Sequence, residues 1–433
     1  MNLSENLIQF LSKSPTAWHA VETVKNILAE NGYTELKEYE KWKIEPGHAY
    51  FVKRNDSSII AFKIPEKGFA PFMAAAAHTD SPSFRIKPHP EMKGSGCVRI
   101  NTEGYGGMLC APWFDRPLSC AGRLMVKTEN GFESRLFKSD QDLFLIPSLA
   151  IHMNRTANDN ASLNKQKDLM PLFTLDSEEK LSLYDVIAEE ADIEPDSILD
   201  SDLLLYVREE PRVWGAKKEF ISAGHLDDLY CAWGLTQGMI QSENANAIKV
   251  LALFDNEEVG SLTKQGAYST FFYDTLKRIS ISLGKDEEDF LMALSESFLV
   301  SADNAHAVHP NYPEKMDPVN QPKMNGGIVI KFNGNQKYTS DAYSASVMRR
   351  VCEKAEVPVQ EFVNRSDSAG GSTLGNLSNV QVSLNAVDIG LAQLAMHSCY
   401  ETAGLKDGEY LVKAMKCYYE SAIHRTDGQT ELI

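Results

Sequence analysis

Apolar residues along this chain fall into short, nearly unbroken runs at residues 59–62, 72–77, 250–254, 298–301, 328–332 and 380–384. Runs of that length with little polar interruption predict strands buried on both faces. Segments of helical period lie between many of them, at 226–240, 267–283, 342–355 and 410–424. Strands alternating with helices predict an α/β layered sheet. The first thirty or so residues read as two amphipathic helices, with Ser14-Pro15 as the start signal of the second.

From about residue 86 to 219 the pattern changes. Short alternating runs, at 123–127 and 203–207, are broken by Gly104-Tyr105-Gly106-Gly107, Ala111-Pro112 and Asn158-Asp159-Asn160. Such spacing predicts a β-rich unit. The chain is therefore expected to hold an α/β domain of residues 1–85 plus 220–433, with a second, β-rich domain of residues 86–219 inserted between two of its strands. No internal repeat or low-complexity stretch interrupts this plan.

Composition narrows the function. The 433 residues, 43% hydrophobic and 24% charged, suit two folded domains. With 43 Lys and Arg against 60 Asp and Glu, the net charge of -17 argues against nucleic-acid binding or an anionic membrane surface. No apolar run approaches the roughly 20 residues of a spanning helix, and the N-terminal segment lacks the basic start of a signal peptide. Seven scattered cysteines without a CxxC pair are expected to be reduced thiols, which predicts a cytoplasmic protein.

Chemistry concentrates where the apolar runs end. Ala74–Ala77 leads into His78-Thr79-Asp80, a histidine with a carboxylate two residues on that can orient its ring. A strand-end turn followed by a capping Asp explains that motif equally well in isolation. Gly224-His225-Leu226-Asp227-Asp228 opens a helix with two acids where capping needs one. One of the two is a candidate bridge between metals. Phe254 runs straight into Asp255-Asn256-Glu257-Glu258. Carboxylates crowded at the end of a core strand repel one another unless cations sit among them. Of the adjacent glutamates, one can ligate while the other takes a proton from the attacking water. A solvated acidic turn is the plainer explanation and the weaker one. Asp303 ends another apolar run, followed by His306 and His309, which would share a face on a helical turn; each is a packed histidine or a substrate contact. His397 follows an apolar segment late in the chain. Together His78, Asp227, Glu257 or Glu258, Asp303 and His397 supply the roughly five ligands of a two-metal site with a spare Glu as base. Nitrogen and oxygen donors without thiolate suit zinc, with cobalt or manganese as substitutes. HExxH, P-loop, GxGxxG and GxSxG patterns are all missing from the sequence.

Five segments in order, Ala77-His78-Thr79-Asp80-Ser81-Pro82, Ile146-Pro147-Ser148-Leu149-Ala150-Ile151-His152, Asp255-Asn256-Glu257-Glu258-Val259-Gly260-Ser261, residues 301–312 and Leu394-Ala395-Met396-His397-Ser398, resemble the M18 family of metalloaminopeptidases, the aspartyl aminopeptidase group. The resemblance implies an α/β exopeptidase domain with an inserted β-rich dimerisation domain, and two zinc ions per subunit. It implies that His78 and His397 are terminal ligands, that Asp227 bridges, that Glu258 and Asp303 complete the set, that Glu257 is the general base and that Asp80 supports His78. It further implies that His152 reaches from the inserted domain into a partner's site to stabilise an oxyanion, and that Lys331 pairs with an acidic substrate side chain. His306 and Asp367 are candidate substrate contacts. The implied substrates are peptides with a free N-terminus, and the implied assembly is a tetrahedral dodecamer built from dimers. Two places depart from the family pattern: Ala369 and Gly370 stand where relatives carry Pro and Cys, and Tyr400 stands where they carry Arg. Both bear on the substrate pocket. Two other functions share these residues. A deacylase or carboxypeptidase would use the same two-metal chemistry, and a non-catalytic oligomeric scaffold would bind metal structurally, though it needs no spare Glu257.

Overall fold

A computed structural model describes residues 2–159, 162–177, 181–243, 246–426 and 428–433. Among these residues a nine-stranded mixed sheet runs in the order Thr34–Leu36, Ala49–Arg54, Ser58–Lys63, Ile248–Phe254, Phe72–His78, Phe298–Ala302, Asn385–Gly390, Ile328–Phe332 and Val359–Val363. The four strands from Ile248–Phe254 to Asn385–Gly390 are mutually parallel. The strand Phe72–His78 shows why these segments are uniformly apolar. Met73, Ala75 and Ala77 enter the core on one face, and Phe72, Ala74 and Ala76 enter the core on the other. Every residue of the strand is buried.

Helices cover both faces. Leu226–Gln241 and Leu405–Tyr419 pack against each other and against one face, and Phe271–Ser282, Glu287–Ser295 and Leu374–Gln381 cover the other. The first pair approaches closely: a Cβ at Gly238 would lie 2.6 Å from the Cβ of Met415, so no larger residue fits there. The first two helices, Leu3–Ser12 and Ala17–Glu30, lie as the sequence predicts, Asn2 and Glu5 forming a reciprocal cap on the first.

Three sequence expectations shift. The run 380–384 is not a strand; Val380 belongs to the helix Leu374–Gln381, and the strand is Asn385–Gly390. A charge hides that strand from a hydropathy reading. Asp388 is buried in it and satisfied by the hydroxyls of Ser301, Thr339 and Thr373 at 2.6–2.7 Å. The last long helix spans Leu405–Tyr419 and not 410–424, because Ile423–Thr426 pairs with Gln429–Leu432. His306 sits on the two-residue strand Ala305–His306, paired with Ala392 and Gln393, so it shares no helical face with His309.

A six-stranded antiparallel sheet holds Gly131–Lys138, Leu118–Thr128, Ile198–Val207, Ser83–Gly94, Cys97–Tyr105 and Leu172–Leu175, in that order, over its own core. Its first strand begins before residue 86, since Ser83 already pairs with Tyr105 and Arg85 with Leu204. Arg212–Trp214, expected in the inserted unit, joins instead a five-stranded sheet with Phe220–Ala223, Glu401–Gly404, Ala392–Leu394 and Ala305–His306.

Candidate metal centre

The parallel strands end at one edge, and there the predicted residues meet. His78 ends its strand opposite Phe254, which delivers Glu257 and Glu258 through the turn that follows. The neighbouring strand Phe298–Ala302 delivers Asp303. Asp227 sits at the mouth of its helix, where Asp227 and Asp228 have non-helical backbone and a cis peptide joins them.

One ligand atom from each of His78, Asp227, Asp228 and Asp303 falls within 4.8 Å of the others, and so does one from each of Asp227, Glu258 and His397. Asp227 belongs to both groups. A third group joins His78 to Glu257 and Glu258. Both imidazoles are held by Nδ1 and aim Nε2 inward. His78 Nδ1 lies 3.0 Å from the main-chain carbonyl of Asp80, with Nε2 3.6 Å from Asp227 Oδ1. His397 Nδ1 lies 2.8 Å from the carbonyl of Gly107, with Nε2 3.5 Å from Asp227 Oδ2 and 3.4 Å from Glu258 Oε2. An N–H given to a backbone carbonyl leaves the other nitrogen bare for a metal.

Asp80 does more than the orienting role expected of it. It steadies His78 chiefly through its carbonyl, its carboxylate lying 3.5 Å from Nδ1. The carboxylate accepts the backbone N–H of Glu257 at 3.1 Å and of Glu258 at 3.2 Å, and the Tyr105 hydroxyl at 2.6 Å.

The electrostatics ask for cations. Burial raises the Glu257 carboxyl to about 8, with the charges of Asp303, Asp80 and Asp227 adding to it and His78 opposing. Burial likewise pushes Glu258 and Asp228 well above the carboxylate range. Asp227 is the exception: burial works against its charge, but His397 and His78 hold it low. Asp227 Oδ1, Asp228 Oδ1 and Glu258 Oε1 are buried without a hydrogen-bond partner. Orphaned carboxylate oxygens beside two bare imidazole nitrogens fit divalent metal, and the absence of thiolate from the set fits zinc.

The remaining predicted residues lie apart from this cluster or at its margin. Lys331 is buried, with Nζ 3.4 Å from Asp303 Oδ1 and 3.0 Å from the carbonyl of Asn304. His306 stacks edge-on to Phe362, and the residue stays exposed. Asp367 is exposed and pairs with Arg365 at 2.8 Å. His152 lies in an exposed turn, and among the described residues no hydrogen bond or ion pair ties it to the cluster. Two residues escaped the sequence reading. Tyr105 stands among glycines that read only as a break, and Glu401, which accepts the backbone N–H of both Asp227 and His397, bonds through main chain that leaves no motif.

Candidate metal ligands from separate elements thus converge at the carboxyl edge of the mixed α/β sheet. The model of the Aminopeptidase I zinc metalloprotease (M18) family matches residues 10–419. A probable M18 family aminopeptidase 2 of Clostridium novyi (strain NT) is 48% identical over 430 residues, covering 97% of this chain and 99% of the relative. Among solved structures, the Ape4 and Nbr1 complex matches with a TM-score of 0.94 at 38% identity, covering 96% of this chain and 85% of that one. The S. cerevisiae mApe1 dodecamer matches with a TM-score of 0.84 at 25% identity, over 96% of both chains. The chain belongs to the M18 peptidase family. It is a metallopeptidase of the aminopeptidase class with an α/β exopeptidase fold.

Proposed function

We propose that the protein removes the N-terminal residue of peptides with two zinc ions per subunit, bridged by Asp227. The observation that carries this reading is the membership of Asp227 in two ligand groups, one with His78 and Asp303, the other with Glu258 and His397. Bound zinc supplies a Lewis acid that polarises the scissile carbonyl and acidifies water. The chain supplies the rest. Glu257, fixed through its backbone N–H by Asp80, takes the proton of the attacking water and returns it to the leaving amine.

Lys331 favours an acidic N-terminal residue in this reading. An ammonium has three donors, and Asp303 and the Asn304 carbonyl engage two of them. His306 and Asp367 are assigned to the rim of the substrate pocket. The six-stranded sheet is assigned the role of a dimerisation domain, with His152 donated to a partner's site. Leu149, Ile151 and Met153, exposed around His152, supply apolar surface for such a contact. Assembly of dimers into a dodecamer is assigned by analogy with the mApe1 dodecamer. Free cysteines throughout suit the cytoplasm.

Turnover of a panel of peptides with different free N-termini, and of the same peptides N-acetylated, tests the reading with and without chelator. Free-amine peptides should be cut, chelator should abolish cutting, and zinc should restore it. Cleavage of acetylated peptides at equal rate would point to a deacylase or endopeptidase instead.

A further inference from the structure

One buried acid at the site has no part in the chemistry above. Glu401 opens the strand Glu401–Gly404 and is 2% exposed. Its Oε2 accepts the backbone N–H of Asp227 at 2.9 Å. Its Oε1 accepts the backbone N–H of His397 at 2.7 Å and the Gln393 amide at 3.3 Å. These donors are neutral. A carboxylate buried without a cation costs stability, and an apolar residue of similar shape would serve packing better.

What Glu401 joins gives it a reason. Gln393 Oε1 accepts from the Asn304 amide at 2.8 Å, and the same amide donates to the carbonyl of Leu226 at 2.8 Å. One hydrogen-bonded chain thus runs beneath residues 226–227, 304 and 397, the backbone that carries Asp227, Asp303 and His397. Two of these segments are in unfavourable backbone conformations. His225 (φ 63°), Ala395 (φ 55°) and His397 (φ 66°) all lie in the left-handed region, which residues with a Cβ avoid. Something must hold them, and among the described residues the Glu401 carboxylate is the side chain that hydrogen-bonds both segments at once.

We infer that Glu401 is a positioning residue that fixes Asp227 against His397, and so bears most on the metal position made by Asp227, Glu258 and His397, two of whose ligands it holds, and less on the position beside His78 and Asp303, which shares only Asp227 with it. The inference rests on the two-metal reading of Asp227. Glutamine at 401 keeps the shape but turns an NH2 toward one of the two backbone N–H groups, so one grip is lost.

The test is a zinc titration into metal-free, full-length protein against a chromophoric chelator, for wild type, Glu401→Gln and Glu401→Asp. Wild type should take up two zinc ions. Glu401→Gln should bind one of them roughly 10–100-fold more weakly, the usual cost of losing support behind a ligand, and the other with a clearly smaller loss. High zinc should then restore turnover, which damage to the fold would not allow. Cobalt-loaded samples should overlay at the first equivalent and differ in visible absorption at the second. If circular dichroism shows Glu401→Gln unfolded, Glu401→Asp, which keeps the charge and shortens the reach, carries the same expectation. Two zinc ions at wild-type affinity in the folded variant, or an equal loss at both positions, overturns the assignment alone. Wild type holding a single zinc overturns the two-metal reading and this assignment with it.

Discussion

Nε2 of His397 lies 3.5 Å from Oδ2 of Asp227, the oxygen opposite the one that faces His78. One carboxylate therefore addresses two imidazoles, each pinned by Nδ1 to a backbone carbonyl. Cations seated between them would relieve the repulsion of the surrounding carboxylates.

Glu257→Gln removes the proposed base and leaves the proposed ligands in place. Turnover should fall about 10²–10⁴-fold, while zinc content measured by atomic absorption stays at the wild-type level. Activity near wild type would remove Glu257 from that role.

Tyr105→Phe tests how far the inserted sheet reaches into the site. Tyr105 ends the strand Cys97–Tyr105, and its hydroxyl donates to Asp80 at 2.6 Å while accepting from the Asn256 amide at 2.9 Å. A hydrogen bond to a charged group contributes about 1.5–3 kcal/mol. Its loss should lower kcat about tenfold with KM within a factor of about two, because Asp80 holds the backbone of Glu257 and Glu258. A change confined to KM would contradict this.

Lys331→Met separates substrate recognition from support of Asp303. If the ammonium reads an acidic side chain, kcat/KM for N-terminal Asp and Glu should drop about 10–100-fold more than for Ala or Leu, from a lost charge-assisted bond of about 1.5–3 kcal/mol. A uniform drop across the panel would leave Lys331 as a partner of Asp303 and nothing more.

His19 gives the fold a pH dependence remote from the metals. Burial, with Lys138 adding, lowers its pKa to about 4, and its Nδ1 lies 2.8 Å from Thr16 Oγ1. An unfolded histidine titrates near about 6.5. Below that pH the unfolded chain takes a proton that the folded chain refuses until about 4. The contribution is therefore full above about 6.5 and is lost as pH falls toward 4, at up to about 1.4 kcal/mol per pH unit. The thermal midpoint of metal-free protein should fall less steeply across this window in His19→Gln than in wild type. Parallel curves would reject the assignment.

The sequence made the core strands plain because strands such as Phe72–His78 bury both faces, and nothing polar interrupts them. It hid Asn385–Gly390, whose buried Asp388 is paid for by three hydroxyls from distant segments. The site followed the same logic. His78, Glu257, Glu258 and Asp303 stand out because a charge or imidazole directly after an apolar run is unusual, and the parallel sheet brings such ends to one edge. Glu401 and Tyr105 do not stand out. They act on backbone N–H groups and on another acid's carboxylate, contacts set by the tertiary fold. The acid four residues after His397, in the apolar surroundings of Cys399 and Ala403, was the available signal for Glu401. His152 and Asp367 drew attention only through family resemblance, and each sits on exposed chain.

Anomalous diffraction at the zinc edge from zinc-loaded crystals addresses the bridging role of Asp227 most directly. Two peaks should appear in each subunit, on either side of the Asp227 carboxylate, one beside His78 and Asp303 and the other beside Glu258 and His397. A single peak, or two peaks that do not share Asp227, would contradict the account.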